Sequence, residues 1–65
     1  MSSYNIGHVG WYIDNKGKWR RVKVVNIITR FGGDCYDLRD VNTGGLYVNL
    51  FEPILHQERF NGTQG

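Results

Sequence analysis

Nine glycines against a single proline cut this chain into short runs, and their spacing constrains the fold more than any other feature. Turn-forming residues gather at 15–17, 32–34 and 42–45, and the runs between them suit short strands joined by tight turns. Those runs are rich in β-branched and aromatic residues, so the expectation is an all-β chain.

Length then sets the scale. Sixty-five residues make one domain, spanning 1–65, with an ordered core over about 8–60 and flexible ends. So short a chain buries only about 60% of the surface its unfolded form exposes. A core and a deep, water-excluding active site would compete for the same few apolar residues, so a binding role is expected and an enzyme is not. The 40% hydrophobic and 22% charged content places the chain among folded domains rather than disordered tails.

Alternation locates the strands. Residues 8–13 set Val9, Trp11 and Ile13 against His8, Gly10 and Tyr12, and the first set reads as the inward face. Residues 18–30 are too long for an average strand. In that run Val22 and Val24 lie opposite Trp19, Arg21 and Lys23, whereas further on Val25 and Ile27 read as the inward pair. The change of phase predicts a bulge or sharp bend near Val24 and Val25. After the turn at Gly32 and Gly33, Tyr36 and Leu38 alternate with Cys35, Asp37 and Arg39, a third strand whose outer face reads as acidic. In the fourth, Leu46, Val48 and Leu50 alternate with Tyr47, Asn49 and Phe51, which sends Tyr47 and Phe51 outward with Tyr12. Pro53 ends that strand; residues 53–56 suit one helical turn and 57–60 a short last strand. The whole predicts a small, strongly bent, five-stranded antiparallel barrel with one helical turn before its last strand.

The order of these elements resembles the Tudor and KOW type of small β-barrel. Gly10, Trp11 and Tyr12, then Gly17 with Trp19, then Val22 and Val24, look like the opening of such barrels. Tyr36, Asp37 and Leu38, followed by Thr43, Gly44, Tyr47 and Val48, are similar to their third and fourth strands. The resemblance covers residues 9–60. It implies a binding module that engages nucleic-acid backbones, methylated side chains or partner proteins, a choice the fold alone does not make.

The remaining chemistry is sparse. Cys35 is the only cysteine and His8 and His56 are the only histidines, so an intrachain disulfide and a four-ligand zinc site are not expected, nor is any cofactor. Cys35, His8, His56 and Asp37 are residue types of catalytic machinery, but no spacing singles them out. No apolar run approaches the roughly 20 residues of a membrane span, and the amino terminus lacks the pattern of a signal peptide. The expected setting is intracellular, in the cytoplasm, with the nucleus or a host cytoplasm as variants. The glycosylation sequon at Asn61 and Thr63 is set aside as chance.

Charge is segregated along the chain. The formal net charge is +2, yet residues 15–33 hold Lys16, Lys18, Arg20, Arg21, Lys23 and Arg30 without an acid, while Asp34, Asp37, Asp40, Glu52 and Glu58 follow with Arg39. The basic hairpin with Trp19 interleaved suits nucleic-acid phosphates and a stacked base, DNA or RNA alike. On that reading Lys16, Lys18, Trp19, Arg20, Arg21, Lys23 and Arg30 form the site. The same cations are also what a merely solvated strand face would carry.

The close alternative is a protein partner, docked through Tyr12, Asp37, Asp40, Tyr47 and Phe51. An adaptor or inhibitor of this kind suits the small regulators that viruses and mobile elements encode. A third reading is an aromatic cage for a methylated ammonium, drawn from Trp11, Tyr12, Tyr36, Tyr47 and Phe51 with Asp37 or Asp40, although alternation places Trp11 and Tyr36 in the core. An uncovered edge strand beside Phe51 would also admit a homodimer.

Overall fold

A computed structural model describes residues 4–59. Four antiparallel strands, β1 (Val9–Ile13), β2 (Trp19–Arg30), β3 (Gly33–Asp40) and β4 (Leu46–Phe51), form one sheet in sequence order. The all-β expectation holds. There is no fifth strand, no helix and no barrel closure among the described residues. Where a helical turn was expected, residues 53–55 run without regular structure to an isolated bridge between His56 and Trp11. Two backbone bonds of 2.8 Å make that bridge, so the segment crosses the free edge of β1 as a strap rather than a strand. The sequon, the tail at 61–65 and Phe60 of the expected last strand lie outside the described residues.

The core is one face of the sheet. Val22, Val24, Tyr36 and Leu38 are fully buried, and Leu55 on the strap covers them. The bend foreseen in β2 is present: the β2–β3 register shifts between Val24 and Asn26, and Ile27 returns to the inner face opposite Tyr36. One extra residue, Val25, turns the strand so that both of its halves serve the same core.

β1 and the first half of β4 present the opposite face from the one expected, whereas Leu50 faces inward and Phe51 outward as expected. In β1 it is Gly10 that is buried and Tyr12 that packs on the core, while Val9 and Ile13 are exposed. The cause is the strap. A β-carbon on Gly10 would stand 3.2 Å from both the His56 carbonyl oxygen and Leu55 Cβ, so the missing side chain is what lets Leu55 approach. Trp11 therefore lies on the outer face.

In β4 the residues packed inward are Tyr47 and Leu50, three apart, with Val48 exposed between them. The β3–β4 register shifts between Tyr36 and Leu38, and Asn49 takes a left-handed φ of 61°. Asp37 holds this bulge by accepting the Asn49 N–H at 2.9 Å. A left-handed residue inside a strand breaks the period of two, so the alternation in the sequence misassigns the face of Tyr47.

Candidate nucleic-acid interface

The outer face of the sheet gathers part of the basic hairpin into rows. One row crosses all four strands: Val9 pairs with Lys23, Lys23 with Arg39, and Arg39 with Leu46. The next pairs Trp11 with Arg21, and the third pairs Ile13 with Trp19. Over the Trp11 ring lie two guanidiniums, Arg21 at 5.1 Å and Arg59 at 5.0 Å from its centroid. Cation–π contact restrains both arginines. Trp19 meets His56 edge-on at 5.3 Å, which ties this face to the strap.

Among the expected phosphate contacts, Arg21, Lys23 and Trp19 share this face. Lys16 and Lys18 sit at the exposed β1–β2 turn, where Gly17 takes a φ of 80°. Arg20 does not join them. It points to the inner side, where its Nε donates to Asp14 Oδ2 at 3.0 Å and its Nη1 stands 3.9 Å from Asp40 Oδ2. Arg30 is also apart, at the far end of β2, roughly 20 Å of strand from Lys23, with its Nη2 donating to Asn49 Oδ1 at 3.2 Å.

Asp14 organises the β1–β2 turn. Its Oδ1 accepts the Lys16 and Lys18 N–H groups, each at 2.9 Å. The Lys18 N–H bond, with help from Arg20 and Lys16 and against some desolvation, holds the carboxyl below its ordinary 3.8. The Asp14 contact in turn raises Arg20 above its usual value. Asp40 caps the β3–β4 turn in the same manner, accepting the Asn42 and Thr43 N–H groups at 2.8 and 3.0 Å. Arg20 thus bridges the two turns.

The acidic strand is not an acidic surface. Asp34 and Asp40 share the parity of Tyr36 and Leu38 and are 5% and 2% exposed, while Asp37 is engaged with Asn49 and with Asn26 Nδ2 at 3.4 Å. With Asp34 and Asp40 buried, solvent meets all eight Lys and Arg side chains at least in part, and four carboxylates, Asp14, Asp37, Glu52 and Glu58. The exposed balance is +4, twice the formal charge.

The partner-docking set divides as well. Phe51 is 60% exposed; Asp40 is buried, and Tyr12 and Tyr47 pack on the core with ring centroids 5.5 Å apart. These two tyrosines line an open groove of about 440 Å³ with Asp14, Asn15, Val48 and Leu50. The acid in it, Asp14, is already satisfied by two backbone N–H groups and Arg20. Tyr36 is fully buried and unavailable to a cage. Among the described residues no three His, Cys, Asp or Glu side chains gather around a common metal position, and no helix is long and apolar enough to cross a membrane.

Sequence reasoning left Arg39 and Arg59 out of the candidate site and weighed Trp11 only for the aromatic cage, as a residue that alternation places in the core. Arg39 had a signal: it shares the parity of Asp37, not of the buried acids, and a hairpin register pairing residues 23 and 39 would have placed it beside Lys23. Arg59 follows the strap, whose path the sequence does not reveal. No protein-family model, curated protein or solved structure matches this chain.

Proposed function

We propose that this chain is a small non-enzymatic binding module whose outer β1–β2–β3 face engages nucleic acid through the phosphate backbone. The observation that carries the reading is the direct cross-strand pairing of Lys23 with Arg39. Both are exposed, and neither forms an ion pair with a carboxylate among the described residues. Like charges facing each other across a ladder destabilise a sheet, and a polyanion laid over them turns that cost into attraction. Arg21, restrained over Trp11, adds a donor fork suited to phosphate.

Titration of labelled oligonucleotides at low and high salt tests the proposal. Affinity should fall steeply with salt, and Lys23→Glu with Arg39→Glu should abolish binding while the circular dichroism spectrum is retained. Salt-independent binding, or an unaffected double variant, refutes it.

A protein partner has one observation of its own. Phe31 is fully exposed at the β2–β3 turn and Phe51 is 60% exposed, and exposed aromatics of this kind anchor protein interfaces. Retention of a partner by the wild type but not by Phe31→Ser or Phe51→Ser would favour that reading.

A further inference from the structure

Resting on the nucleic-acid reading, we infer that the ligand is single-stranded, with unpaired bases lying on the outer face beside its cations. The apolar surroundings of these charges favour it. The Lys23–Arg39 pair is flanked in its own row by Val9 and Leu46, which are 39% and 54% exposed, and the neighbouring rows add Trp11, Trp19 and Ile13, the last 37% exposed. Cations alone would serve a duplex and a single strand equally, since both present phosphates. An apolar and aromatic floor beside them gains nothing from a duplex, whose base faces are stacked away. It gains from an unpaired strand, whose bases expose flat apolar faces to side chains.

The geometry suits this. Neighbouring strands stand about 4.8 Å apart and alternate residues of one strand about 6.7 Å apart, so the apolar positions lie beside the Arg21, Lys23 and Arg39 cluster at about the spacing of one nucleotide. Arg21 and Arg59 are already held over Trp11. Less side-chain freedom is lost when they meet a base or phosphate than for unrestrained arginines.

The experiment is a fluorescence anisotropy titration of the full chain with one labelled oligonucleotide, first unpaired and then annealed to its complement, at the same low salt. The single strand should bind about tenfold or more tightly than the duplex, and Trp11→Leu should reduce that preference by about tenfold. Leu46→Ser, at an exposed position that the core does not need, should weaken single-strand binding in the same direction and guards against a Trp11 variant that fails to fold. Equal or tighter duplex binding overturns the inference and leaves the phosphate reading standing. If neither form binds, both fall.

Discussion

The ring of Phe51 lies over Gly33 so closely that a β-carbon on Gly33 would stand 2.7 Å from two of its atoms. Gly33 also has a φ of 154°, so two separate penalties attend any side chain there. The ring is mostly exposed and free to swing aside, whereas the backbone is fixed by its pairing with Arg30. Gly33→Ala should therefore lower stability by about 1–2 kcal/mol, most of it backbone strain. Urea unfolding of Gly33→Ala alone and combined with Phe51→Ala checks this. Full rescue by the second substitution would assign the cost to the ring instead.

Acid should loosen the β1–β2 turn. The Asp14 carboxyl is held below its ordinary 3.8, first by the Lys18 N–H and then by Arg20. A depressed carboxylate stabilises the fold at every pH above its unfolded value, and that contribution is lost as pH falls through its folded value. The wild type should lose stability below pH 3.8 more steeply than Asp14→Asn, which keeps a backbone acceptor but has no charge to neutralise. Parallel unfolding curves for the two proteins across that range would remove Asp14 from the account.

Core substitutions leave little margin. Leu38 is fully buried beside Val22, Val24 and Tyr36, and Leu38→Ala should cost about 2–5 kcal/mol, comparable with the whole stability of so small a domain. Thermal unfolding should show the variant largely unfolded at room temperature. Val48→Ala, at a position 60% exposed, should stay within about 0.5 kcal/mol of wild type. A Leu38 variant with an unchanged melting temperature would mean that the core lies elsewhere.

Where local pattern and local packing coincide, the fold was legible in the sequence. Val22, Val24, Tyr36 and Leu38 were read as inward, and the phase change in β2 marked the bulge at Val25. The failures share one physical cause, the influence of residues distant in sequence on a strand's face. Nothing in residues 8–13 says that Leu55 will press on Gly10, and without that contact Trp11 is the natural core residue. The site was legible in its charge and not in its membership. Arg20 belongs to the basic run yet faces the wrong way, because Asp14 and Asp40 claim it, while Arg39, counted as the exception in an acidic run, completes the cationic pair.

Docking of the strap on β1 should be sensitive to both of its anchors. Tyr4 accepts the Leu55 N–H through its hydroxyl at 3.0 Å, and Gly10 admits Leu55 and His56 by having no side chain. Tyr4→Phe should cost about 1 kcal/mol through the unpaired N–H. Gly10→Val, which places branched carbons where the His56 carbonyl now lies, should displace the strap outright. Hydrogen exchange distinguishes this from general unfolding: the Trp11 and His56 amides should lose protection in Gly10→Val, while those of β2 and β3 keep theirs. Uniform loss across all four strands would instead make the strap an inseparable part of the core.

The bulge in β4 offers the sharpest backbone test, because its left-handed residue is not a glycine. Asn49 sits at φ 61°, a region that costs most side chains about 1–2 kcal/mol and that asparagine enters more readily. Asn49→Gly should therefore leave stability within about 0.5 kcal/mol of wild type, losing the Arg30 contact but relieving the backbone. Asn49→Ala should be less stable than the glycine variant by about 1 kcal/mol, although it has fewer conformations to lose on folding. Chemical denaturation of the pair decides the matter. If alanine proves the more stable of the two, residue 49 is not left-handed, the β4 alternation is unbroken, and Tyr47 faces outward as its sequence position suggests.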